Sequence, residues 1–78
     1  MYKSKRAKDI EEQINAIDLM EYLLDRVDEL YNAGNTLRCA CRMTIRHYLA
    51  DIDVRLELEE EYKLIDELEK LWDVRETK

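Results

Sequence analysis

From Thr36 to Trp72 the chain contains neither glycine nor proline, so no residue in that stretch compels a helix to stop. The only glycine, Gly34, stands just before it, and there is no proline anywhere. With 41% charged and 46% apolar residues, the chain has the profile of long helices, in which A/E/K/L/R residues dominate and apolar positions recur at helical spacing. An all-α fold is expected. At 78 residues it is one domain, of a size at which a lone core supplies only about 3–5 kcal/mol.

Two long helices are read from the pattern, over about residues 9–33 and 36–74. In the first, Ile10, Ile17, Leu24 and Tyr31 repeat every seven residues, with Met20 and Val27 at a second position and Ala16, Leu23 and Leu30 beside them. Three apolar positions per heptad suit a bundle helix better than a two-stranded coiled coil. Asn32-Ala33-Gly34-Asn35-Thr36 supplies a left-handed stop at the glycine and a side-chain cap at Asn35 or Thr36 for the next helix. So short a connection makes the helices antiparallel neighbours. Residues 1–8, with Lys3, Lys5, Arg6 and Lys8, are expected to be a frayed basic segment.

The second helix carries Leu37, Cys41, Ile45, Tyr48 and Ile52 on one stripe, which shifts to Val54, Leu58, Tyr62, Ile65, Leu68 and Trp72. A continuous helix of about 37 residues, roughly 55 Å long, is favoured over a break near 51–57 because strong helix formers fill the phase change and no turn residue does. Two rods of this kind leave Leu19, Tyr22, Leu49 and Leu64 outside the seams. Wet apolar side chains cost about 25 cal/mol per Å², so the hairpin is expected to pair with a second copy as a four-helix-bundle homodimer. Its core and dimer surface would be Ile17, Leu24, Val27, Tyr31, Ile45, Tyr48, Ile52, Tyr62, Ile65 and Trp72. The alternative is a monomeric three-helix bundle, which needs the break near 51–57.

The net charge of −6 argues against general nucleic-acid affinity. The window from Leu30 to Ala50 nonetheless holds no acid, and it contains Arg38, Arg42 and Arg46 and the only histidine, His47. At four-residue spacing these arginines form a ridge able to meet phosphate or an acidic partner through guanidinium forks. In a hairpin centred on Gly34 they would face Asp25, Asp28 and Glu29. No run approaches the roughly 18 apolar residues of a membrane span. Cys39 and Cys41, two apart, point to different sides of a helix and cannot bond to each other within it. A reducing, cytoplasmic setting is expected.

Glu57, Glu60 and Glu61, with Glu11 and Glu12, form an acidic belt. Carboxylates three and four residues apart share a helix face and can hold a hard cation across a bundle. Glu57-x-x-Glu60 resembles the first half of the Glu-x-x-Glu, Glu-x-x-Asp layout of small all-helical nucleotide pyrophosphatases of the MazG type, and that resemblance implies a metal-dependent hydrolase. No Glu-x-x-Asp comes after it here. Cys39-Ala-Cys41 lacks zinc-ligand spacing, and His47 has no nucleophile spaced for it.

The expected function is a non-enzymatic protein-interaction module, an adaptor, regulator or inhibitor. It would need no cofactor, its partner would be another protein, and Arg38, Arg42, Arg46, Glu57, Glu60 and Glu61 would be the contact residues. The metal-dependent hydrolase and nucleic-acid contact through the arginine ridge are the alternatives.

Overall fold

A computed structural model of the chain describes residues 5–77. Among them the protein is all-helical, with α1 over Lys5–Ile14, α2 over Ile17–Asn32, α3 over Leu37–Asp51 and α4 over Leu58–Glu76, and no strand. Of the basic segment expected to fray, residues 1–4 lie outside the described residues and 5–8 begin α1.

The α2–α3 turn is dictated by its residues. Gly34, at φ +109°, takes the left-handed position, and its N–H donates to the Tyr31 carbonyl while the Asn35 N–H donates to that of Leu30 (3.1 and 3.3 Å). This pair of bonds satisfies carbonyls that a helix end leaves open. Thr36 then caps α3 by accepting from the Cys39 N–H at 3.2 Å.

The expected second helix over 36–74 is broken. After Asp51 the Asp53 N–H donates to Ala50 and the Val54 N–H to Leu49 (3.1 and 2.9 Å), with Asp53 left-handed at φ +53°. Residues 52–57 reverse the chain, and Glu57 starts α4 with a reciprocal cap. The Glu57 side chain accepts from the Glu60 N–H, and the Glu60 carboxylate accepts from the Glu57 N–H at 3.2 Å. The first long helix is interrupted as well. At Asn15 and Ala16 the Asn15 amide side chain donates to the Glu11 carbonyl at 3.0 Å, and Ala16 adopts an extended conformation (φ −67°, ψ 133°) before α2. The Glu11 carbonyl also accepts the Asn15 backbone N–H at 3.2 Å, and the Ala16 N–H turns to the Gln13 carbonyl at 3.0 Å, a tighter turn that closes α1.

The bend changes how the chain hides its apolar surface. α3 packs against both α2 and α4, while α2 also touches α1 and α4. One core draws on all four helices: Ile10 and Ile14, then Leu23, Leu24 and Val27, then Ala40, Cys41, Ile45 and Leu49, then Leu64, Ile65 and Leu68. Thr44 is buried among them and its hydroxyl donates to the Ala40 carbonyl at 2.8 Å. No described buried side-chain N or O lacks a hydrogen-bond partner.

Leu49 and Leu64, which two rods would leave wet, are buried within one chain, and Leu19 packs against the core. Tyr22, the fourth of these, stays 59% exposed, so the bend covers part of the surface on which a second copy was expected and leaves part of it open. Among the residues expected in the core or dimer surface, Leu24, Val27, Ile45 and Ile65 are buried and Tyr48 and Trp72 pack against the core, whereas Ile17, Tyr31, Ile52 and Tyr62 are at the surface of the chain. The longest extent is 34 Å and the radius of gyration 12.0 Å, where about 11–12 Å is usual for a folded chain of this length.

Candidate functional site

The charged residues expected to meet a partner are mostly engaged inside the molecule. Arg38 donates to Asp66 at 2.5 Å and also to Glu69, and its guanidinium lies 5.8 Å from the Tyr62 ring centroid. Arg46 donates to Glu61 at 2.7 Å. Hydrogen bonding to these carboxylates raises both arginine pKa values further above their already high range, so both stay charged. Glu57 and Glu60 form the cap of α4. Arg42 is exposed with no ion pair among the described residues, and Glu57, also exposed, serves only the cap.

The expected pairing of this ridge with Asp25, Asp28 and Glu29 is not observed. The bend lays α4, rather than α2, along the arginines, and the α2 acids turn elsewhere. Asp25 accepts from Arg75 at 2.9 Å and Asp28 lies 3.5 Å from the same guanidinium, Asp28 also accepts the Trp72 indole N–H at 2.7 Å, and Glu29 lies 3.9 Å from Arg26. Among the described residues no three His, Cys, Asp or Glu side chains gather as metal ligands would.

The thiols offer little chemistry. Both cysteines are free, and burial pushes the Cys41 thiol up to about 12, far from the thiolate that reacts or binds metal at neutral pH. His47 borders a cleft of only about 40 Å³ with Tyr22, Arg26, Thr44, Tyr48 and Asp51, room for about one water. At the α3–α4 bend an open depression of about 710 Å³ is lined by Arg46, Asp53, Arg55 and Glu61 over Leu49, Val54 and Leu56. Its cations and acids balance, and Arg46 and Glu61 already hold each other.

A different surface has the character of a binding site. Where the end of α4 meets α2, Met20 and Leu24 from one helix and Leu71 and Val74 from the other line a groove of about 380 Å³, rimmed by Glu21, Asp25 and Arg75. Trp72 and Arg75 hold its walls together through Asp28 and Asp25. Val74 is 57% exposed, and Ile17, one turn before Met20 and Glu21 on the same helix face, is 69% exposed. Groove volumes of 300–1,000 Å³ with an apolar floor and a few polar groups are typical of recognition sites. The residues expected to meet a partner did not include this groove. Its available signal was two apolar runs at helical spacing, Ile17, Met20 and Leu24, and Leu71 and Val74, on elements whose crossing depends on the bend.

Comparison with protein-family models, with curated proteins and with solved structures gave no match to this chain. Among the described residues no helix is long and apolar enough to cross a membrane.

Proposed function

We propose that the chain is a non-enzymatic protein-interaction module whose α2–α4 groove receives an apolar helix or segment of another protein. The observation that carries this reading is the open apolar floor between α2 and α4, with Val74 and Ile17 exposed beside it, in a molecule whose arginine ridge is largely neutralised by its own carboxylates. A helix laid in a groove anchors through residues three and four apart, and the floor offers two such rows. With Asp25 already held by Arg75, Glu21 on the rim and the net charge of −6 favour a partner segment carrying a lysine or arginine. Free thiols at Cys39 and Cys41 agree with a reducing, cytoplasmic setting.

No specific observation favours the metal-dependent hydrolase, since Glu57 and Glu60 are engaged in a helix cap. Nor does one favour nucleic-acid contact, since Arg38 and Arg46 are held by acids.

The test is a photo-crosslinking side chain placed at Val74 and, separately, at Arg42, in the cells that make the protein. A defined partner joined at Val74 and lost on Met20→Asp supports the groove. The same partners joined equally at both positions, or at Arg42 alone, would reject it.

A further inference from the structure

The turns at the two ends of α3 are one motif built from different residues. After α2 the left-handed place is filled by Gly34 at φ +109°, and beyond its own chain neighbours no heavy atom stands within 4 Å of where a Cβ would be. After α3 the same two hydrogen bonds form around Asp53 at φ +53°, the only non-glycine residue with positive φ among those described. Aspartate enters this region more readily than most residues, yet at a cost that glycine does not bear. The first turn is made from the residue that holds it, the second from one that gains by leaving it.

The connection around Asp53 has another conformation open to it. Ile52 to Glu57 contains neither glycine nor proline, so once opened it can lengthen α3 as helix. The contacts that attach α4 to the rest of the chain lie beyond this connection: Arg46 to Glu61, Arg38 to Asp66 and Glu69, Trp72 to Asp28, Arg75 to Asp25, and the buried Leu64, Ile65 and Leu68. A second copy presents the same acceptors. Exchanging α4 therefore keeps these contacts, and what differs between the closed chain and the exchanged pair is the connection, including the packing of Val54 and Leu56 against the core. A short strained connection is the device that invites such exchange.

We propose that residues 52–57 act as a hinge and that α4 of one chain docks against α2 and α3 of a second copy, forming a domain-swapped dimer. The partner is this chain itself, and the surface is the one α4 covers in the single molecule. Nothing in this depends on what occupies the α2–α4 groove.

Two measurements test it. Light scattering on sized fractions, at rising protein concentration, should show a monomer–dimer equilibrium that Asp53→Gly moves toward monomer and Asp53→Ala toward dimer, by about fivefold per hinge. The second mixes two charge variants, Arg38→Glu and the double variant Asp66→Arg/Glu69→Arg. Each alone sets like charges together between α3 and α4. Exchange of α4 between them restores opposite charges at both contacts, so native mass spectrometry should find the mixed dimer well above the half that random pairing gives. Mixed dimer at or below that half, no complex at all, or identical behaviour of the two Asp53 variants would overturn the proposal.

Discussion

Trp72 donates its indole N–H to the Asp28 carboxylate across 2.7 Å, and its ring stands edge-on to Tyr31 with centroids 5.5 Å apart. This contact fastens the last turns of α4 to α2. Removing the acceptor with Asp28→Ala leaves the partly buried indole donor unpaired and should lower stability by about 1–2 kcal/mol. Trp72 is the only tryptophan, so its emission during urea unfolding reports this site directly. An unchanged midpoint would mean that the bond contributes nothing net.

The helix caps give a second prediction. Thr36→Ala and Glu57→Ala each remove a side chain that accepts a backbone N–H at a helix start, and each should cost about 1 kcal/mol. In a domain of this size that is roughly 4–8 °C in Tm. Because Glu57 and Glu60 serve the cap, millimolar Mg²⁺ should leave the wild-type Tm where it is. A Mg²⁺-dependent rise abolished by Glu57→Gln and Glu60→Gln would show instead that the pair binds a cation.

Core and groove should respond differently to substitution. Ile65 is fully buried, so Ile65→Ala should cost about 2–5 kcal/mol, the range for such truncations, and leave much of the protein unfolded. Val74→Ser, at an exposed position, should stay within about 0.5 kcal/mol of wild type while weakening partner capture. Circular dichroism melts and crosslinking yields, read on the same samples, separate the two effects.

Alkaline pH supplies a fourth. The folded state holds Cys41 protonated up to about 12 against an ordinary value of 9.0, with burial as the main cause, and burial also raises Tyr48 above the ordinary tyrosine value. A raised folded pKa gives stability that is complete below the unfolded value and is lost as pH climbs toward the folded one. Stability should therefore fall from pH 9 upward, and Cys41→Ala should flatten the part of that fall between 9 and 12. At about pH 8 a thiol reagent should modify the half-buried Cys39 first and reach Cys41 only on unfolding.

The turn at Gly34 and the cap at Thr36 were legible because glycine and threonine have local preferences that match their places. The break near 51–57 was legible only as the alternative to a continuous helix, and the interruption at Asn15 was not legible at all. Neither carries glycine or proline. At Asn15 the helix closes through the Ala16 N–H turning to the Gln13 carbonyl, while the left-handed Asp53 is outweighed by a term outside its own window, the burial of Leu49, Leu64 and Ile65 once α4 folds back. The shift in apolar phase between Ile52 and Leu58 was the visible trace of that bend. The expected pairing of the arginine ridge with Asp25, Asp28 and Glu29 failed for the same reason, since the partners of Arg38 and Arg46 depend on which helix lies beside α3.

The chain reversal after α3 also governs how the molecule moves through solvent. Were α3, the connection and α4 one straight helix, the chain would span about 60 Å at 1.5 Å per residue, whereas its longest dimension is 34 Å against 23 and 22 Å across. The fold-back at 52–57, held by burial of Leu49, Leu64 and Ile65, thus decides between a compact body and a rod, a distinction that fluorescence anisotropy decay reads within nanoseconds.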